Sequence, residues 1–208
     1  MKHAFHLAFA LCLAAGAVQA EPFDLLRRGG VTLYLRHAQS DWMGEAKPQP
    51  SALKSGRDCS HERNLTEEGR ADARAMGLAL KGLSLTISEI EAVDLCRAQE
   101  TARLAFGEPK TLAGISPGAG APVSLGAQAQ RLEAALRPPV SERAVRVIVG
   151  DYEVAQALFG VTLAEGEGLI LKSDAAGHAQ ALARISVTDW RALAPVAASA
   201  AAPGSRGL

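Results

Sequence analysis

The chain has 208 residues, with 22 Lys+Arg balanced by 22 Asp+Glu for a formal net charge of zero. A near-neutral chain offers neither the basic footprint that binds nucleic acid nor a polybasic patch for a membrane surface. The length fits one domain with a full core and leaves little room for a second.

Residues 1–20, MKHAFHLAFALCLAAGAVQA, combine a basic start at Lys2, an apolar centre and the small-residue site Val18-Gln19-Ala20. That is the form of a secretory signal peptide, with cleavage expected before Glu21. The apolar stretch is short and alanine-rich for a membrane span of ~20 residues. Cleavage would remove Lys2 and leave a mature chain of 188 residues with a formal net charge of −1. No later segment is apolar for long enough to span a bilayer, so the mature chain is expected to be exported, periplasmic or secreted, and free of the membrane.

In chain order, Val31–Leu35, Ile90–Leu95, Val145–Val149, Leu169–Leu171 and Ala181–Val187 are apolar runs of strand length. Helical spacing separates them. In EEGRADARAMGLALKGL, Met76, Ala79, Leu80 and Leu83 recur on one helical face. Asn64 or Thr66 can cap its start, and Glu67 and Glu68 suit the positive end of its dipole. A second helix is expected from Arg97 to a stop at Gly107, and a third in YEVAQALFG to a stop at Gly160. Residues 44–62 and 108–126 are Gly/Pro-rich loops. The last two strands, joined through Lys172–His178, form an expected edge hairpin. Strands alternating with helices predict an α/β fold with a mostly parallel open sheet. The expected domain covers residues 21–194, followed by a disordered Ala/Pro-rich tail over 195–208.

The mature chain keeps two cysteines, Cys59 and Cys96. In an oxidising compartment they either pair as a disulfide or stand as two free thiols. No histidines flank them at ligand spacing, so neither a zinc site nor another metal is expected.

Ligands of such sheets bind beyond the carboxyl ends of the strands. Three ends carry unusual residues: Arg36-His37 after the first strand, Cys96-Arg97 at a helix opening, and Gly150-Asp151 at another. Arginine forks match phosphate oxygens, and helix N-termini offer free N–H groups. A histidine among them is a nucleophile able to take a phosphoryl group on a ring nitrogen.

These segments resemble the histidine phosphatase superfamily, which has the phosphoglycerate mutase-like fold. LYLRHAQS is similar to its Arg-His-Gly/Ala signature, and RNLTEEGRADARAMG to the Leu-Thr segment that opens its first helix. DLCRAQETARLAFG is similar to the segment with its second phosphate-binding arginine, and VRVIVGDYEVAQALFGVTLAEGEGLIL to its last block. Together they span roughly residues 31–191. The resemblance implies a single-domain three-layer α/β/α sandwich. It implies His37 as the phosphorylated nucleophile, Arg36 and Arg97 as holders of the phosphoryl oxygens, and Gln39 as a further phosphate ligand. It also brings the loop with Cys59 near Cys96, which favours the disulfide.

Two departures from that pattern stand out. The family's second phosphate-facing histidine is replaced by Asp151, and no Asp or Glu lies between Pro109 and Leu132, where relatives carry a proton donor. A charge pair at ~4 Å is worth about 4 kcal/mol at an effective dielectric near 20, so an ionised Asp151 would turn attraction for phosphate into repulsion. A protonated Asp151 could instead serve as the general acid. Asp58, Glu62 and Glu153 are the other candidate acids. Of the remaining histidines, His61 could reach the site from its loop, whereas His178 is expected in the hairpin turn.

The expected function is an exported phosphomonoester hydrolase acting through phospho-His37 on small phosphorylated substrates, with no cofactor and with activity impaired by Asp151. The alternative is a non-catalytic pseudophosphatase that binds an anionic ligand or a protein partner.

Overall fold

The computed structural model describes residues 22–47, 58–115 and 123–201, with side chains through residue 194. The expected signal peptide lies outside the described residues. So do the middles of the two expected loops, 48–57 and 116–122.

Six strands form one sheet in the order β3-β2-β4-β1-β5-β6. They are β1 (Val31–Arg36), β2 (Thr86–Val93), β3 (Lys110–Leu112), β4 (Ala144–Gly150), β5 (Gly168–Ser173) and β6 (Ala179–Ile185). The strands β3, β2, β4 and β1 run parallel, and β5 and β6 are antiparallel additions at one edge. Every residue of β1 and β4 is buried. Central parallel strands are covered on both faces, which is why these two read as near-continuous apolar runs.

Six helices accompany the sheet: α1 (Pro22–Arg28), α2 (Glu67–Gly82), α3 (Cys96–Ala105), α4 (Leu125–Leu136), α5 (Tyr152–Phe159) and α6 (Val187–Ala201). Helix α2 packs with α3 and α6, and α4 packs with α5. Thr66 is the N-cap of α2, its hydroxyl accepting from the Gly69 N–H. Gly69 is required there, because a Cβ would collide with the Gln39 carbonyl. The stop at Gly160 is a left-handed C-cap at φ 65°. Together these elements form a single α/β domain with a mostly parallel central sheet, in keeping with the expected fold.

Several elements differ from expectation. Strand β2 starts at Thr86 and ends at Val93, because the exposed, polar half TISE pairs with β4 despite its weak apolar signal. Strand β6 ends at Ile185, since Val187 already belongs to α6. The three-residue β3 lies inside an expected loop, and α1 and α4 carried too little periodic signal to be read as helices. The backbone of residues 195–201, expected as the start of a disordered tail, continues α6, in keeping with the high helix propensity of its alanines. Residues 202–208 lie outside the described residues. Among the described residues, no helix is long and apolar enough to cross a membrane.

Candidate active site

The site follows from strand register. Arg36 of β1 is level with Gly150 of β4, so the next residues, His37 and Asp151, emerge side by side. The His37 N–H donates to the Gly150 carbonyl at 3.0 Å. On the other flank, antiparallel β5 starts at Gly168 opposite Leu35, which brings the preceding turn to the same edge. There the Gly166 N–H donates to the His37 carbonyl at 2.8 Å. That turn delivers Glu165, and the N-terminus of α3 delivers Arg97.

His37 is fully buried. Its Nδ1 lies 2.8 Å from the Ala38 carbonyl oxygen, which can only accept, so Nδ1 carries the proton. Nε2 then keeps its lone pair, and Arg63 Nη2 donates toward it at 3.2 Å. Burial first of all lowers the pKa of His37, and the charge of Arg97 adds to that effect. Asp151 and the Ala38 oxygen pull the other way without reversing it. Near neutral pH, His37 is a neutral imidazole with its nucleophilic nitrogen facing three arginines.

Those arginines are Arg36, Arg63 and Arg97. The Arg36 guanidinium donates to the Leu163 carbonyl at 2.9 Å and lies 4.7 Å from the centre of the Tyr152 ring. Arg63 stacks 3.5 Å from the centre of the Trp42 ring. The Nε–H groups of all three are buried with no acceptor in hydrogen-bond geometry among the described residues. Buried donors left without acceptors are costly, and an oxyanion is the group that would satisfy them.

Two carboxylates occupy the same space. Asp151 accepts from Arg97 Nη2 at 2.6 Å, lies 3.4 Å from Arg36 Nε and 3.4 Å from His37 Nε2, and caps α5 by accepting from the Tyr152 N–H. Glu165 accepts from the Ser40 hydroxyl at 2.6 Å and lies 3.5 Å from Arg63 and 3.8 Å from Arg36. Burial pushes the Asp151 carboxyl up. Its contacts with His37 and Arg97 outweigh that and hold it well below the ordinary carboxylate range. A neutral His37 contributes no charge, so near neutrality the arginines do the holding. Asp151 is therefore an ionised acceptor, which does not support the alternative of a proton-donor role for it.

Arg36, His37, Arg97 and Asp151 thus come together as the strand ends suggested. Gln39 does not join them. It is exposed, and its side-chain oxygen accepts from the Thr66 hydroxyl at 3.1 Å, so its place does not support a phosphate role. Glu62 accepts from the Cys96 N–H, whereas Asp58, His61, Glu153 and His178 are exposed. Cys59 and Cys96 are joined in a disulfide with a Cα–Cα distance of 6.0 Å, which ties the segment leading to Arg63 to the residue before Arg97. Sequence reasoning passed over Arg63 and Glu165. Arg63 sits directly before Asn64-Leu65-Thr66, and that adjacency was the available signal. Glu165 lies in a turn that nothing local singles out. Among the described residues, no cluster of His, Cys, Asp and Glu is suited to hold a metal ion.

Residues 33–117 match the family model of the histidine phosphatase superfamily, branch 1. Among solved structures, the chain is similar to the protein histidine phosphatase SixA complexed with tungstate. That likeness has 19% identity and a TM-score of 0.52, over 76% of this chain and 98% of the other. It is also similar to the product of open reading frame Rv3214 from Mycobacterium tuberculosis, at 18% identity and TM-score 0.52, over 75% and 97%. These structural likenesses speak to the fold. No curated protein matches the chain. Residues 33–117 therefore carry the sequence pattern of the histidine phosphatase superfamily, on a fold shared with these solved structures.

Proposed function

We propose that the protein is an exported phosphatase that transfers a phosphoryl group from a small phosphorylated substrate to His37 Nε2 and then to water. One observation carries this reading. A neutral imidazole, its unprotonated nitrogen oriented by the Nδ1–Ala38 bond, faces three arginines whose Nε–H groups have no acceptor in hydrogen-bond geometry among the described residues. That arrangement joins a nucleophile to donors that stabilise charge spreading over phosphoryl oxygens. Export rests on the form of residues 1–20. The test of location is the mass of the N-terminus of protein recovered from the cell envelope; a chain that still begins at Met1 would overturn it.

A second reading is a non-catalytic anion-binding protein. It is favoured by the Asp151 carboxylate, which already sits on Arg97 where a phosphoryl oxygen would be held. Hydrolysis of a chromogenic phosphomonoester by residues 21–208, beside His37→Ala, separates the two. Turnover abolished in His37→Ala supports the phosphatase. Equal rates for both proteins sink the nucleophile assignment.

A further inference from the structure

Resting on the phosphatase reading, the lip of the site and its carboxylates narrow the substrate class. We propose that the site takes aryl phosphate monoesters, the substrate ring lying against Trp42 and Met43 and the phenolate oxygen leaving without a proton from a protein side chain.

The lip is built from exposed apolar groups held firmly. Trp42 is 70% exposed and Met43 84% exposed. Their turn is fixed by Asp41, whose carboxylate accepts from the Met43 N–H at 2.7 Å and the Ala46 N–H at 2.6 Å. The Asp41 N–H donates in turn to the Asn64 carbonyl. Two large apolar side chains held in water at a site's edge present surface that an apolar ligand would cover. One guanidinium separates this lip from the nucleophile, since Arg63 stacks on Trp42 and donates to His37 Nε2. A phosphoryl group on Nε2 would engage Arg63, and its ester group would extend past that guanidinium onto Trp42. Indole favours an aromatic ring over an alkyl chain there, because ring pairs add attraction beyond buried area.

The carboxylates give independent support. Asp151, 3.4 Å from Nε2, and Glu165, 4.0 Å from Nδ1, are both hydrogen-bond acceptors set against arginines. Residues 48–57 and 116–122 contain no Asp, Glu, His, Cys or Tyr. A leaving group here departs unprotonated. That suits a phenol, which has a pKa near 10, far better than an alkyl alcohol. In the step itself Nε2 forms a bond to phosphorus while the P–O(aryl) bond breaks, its electron pair leaving on the phenolate, which takes a proton from water. A second water then attacks phosphorus, the P–Nε2 pair returns to the imidazole, and a proton is released to solvent with inorganic phosphate.

The test has a kinetic arm and a binding arm. Phenyl phosphates, acetyl phosphate and ethyl phosphate would be compared on the wild type and Trp42→Ala. Phenyl phosphate should exceed ethyl phosphate in kcat/KM by roughly 10²–10⁴-fold, the usual worth of the missing general acid. Trp42→Ala should lower kcat/KM for phenyl phosphate about tenfold, through KM. Acetyl phosphate, a good leaving group without a ring, should lose less than phenyl phosphate, its loss reporting only the Arg63 guanidinium freed from its stack on Trp42. Equal rates for phenyl and ethyl phosphate, or equal losses for phenyl and acetyl phosphate in Trp42→Ala, would overturn the proposal.

In the binding arm, phenylphosphonate should bind tighter than methylphosphonate, with the margin lost in Trp42→Ala. That preference can stand even if His37→Ala shows no nucleophile, which keeps the two readings separable. Equal affinities, or no binding of either, would sink the aryl assignment. A tyrosine-phosphorylated peptide that matches or exceeds phenyl phosphate would identify the source as protein. A peptide refused beside active phenyl phosphate would identify a small aryl ester. Both outcomes uphold the aryl class.

Discussion

Arg97 Nη2 donates to the Asp151 carboxylate at 2.6 Å, so the second arginine of the site already holds an anion supplied by the protein itself. A carboxylate has two oxygens in a plane, and among the described residues the Nε–H groups of Arg36, Arg63 and Arg97 have no acceptor in hydrogen-bond geometry, although Asp151 lies 3.4 Å from Arg36 Nε. A tetrahedral oxyanion has more oxygens in three dimensions and fits that set of donors better.

Asp151→Asn should therefore bind inorganic phosphate more tightly than the wild type. The amide retains the helix cap on α5 and removes a negative charge within about 4 Å of the incoming anion, worth at least roughly tenfold in affinity. Calorimetric titration of both proteins with phosphate measures this. Weaker binding by the Asn variant would show that Asp151 organises the arginines rather than competing for them.

The pH dependence should run toward acid sensitivity. His37 is fully buried among Arg36, Arg63, Arg97, Asp151 and Glu165, and burial holds its folded pKa below the ordinary ~6.5. The unfolded chain binds that proton first, so stability falls as pH drops below ~6.5 toward the lowered value. Asp151 acts in the same direction further down, because its ionised state in the fold is lost only well below the ordinary carboxylate range. Thermal melting from pH 8 to 4 should show a steeper acid decline for the wild type than for His37→Gln. Parallel curves would mean that His37 is not held neutral.

The Cys59–Cys96 bridge closes a loop of 37 residues in sequence and ends beside two of the arginines. Removing such a crosslink costs about 2–4 kcal/mol. Urea unfolding of Cys59→Ala/Cys96→Ala should show that loss, together with weaker phosphate binding, because Arg63 and Arg97 lose their shared anchor. An unchanged unfolding midpoint would reduce the bridge to an ornament of the fold.

Gly150 and Tyr34 form a further testable pair. The buried Tyr34 hydroxyl donates to the Asp151 carbonyl at 2.7 Å, and a Cβ on Gly150 would collide with that hydroxyl. Gly150→Ala should destabilise the protein, and Tyr34→Phe alone should cost about 1 kcal/mol. Combined, they should cost less than the sum, since removing the hydroxyl takes away the nearest atom the methyl would meet and leaves only the ring carbons to give way. Strict additivity in denaturant midpoints would show that the collision is relieved by some other movement.

What could be read in the sequence was what local chemistry and strand ends dictate. The apolar run Val31–Leu35 ending in Arg36-His37, the Gly150-Asp151 helix opening and the Thr66 cap each announce themselves within a few residues. Their meeting at one edge follows from the parallel sheet, because parallel neighbours end together. What only the tertiary structure decided were relations across long stretches of chain. Glu165 reaches the Ser40 hydroxyl across 125 residues because β5 pairs antiparallel with β1. Arg63 turns inward because the segment between Cys59 and α2 is tied to α3. Gln39, two residues from the nucleophile, turns to Thr66 instead of the site. Composition and periodicity specify which face of an element is buried; they do not specify the register and rotamer that decide which of two neighbouring polar side chains meets the ligand.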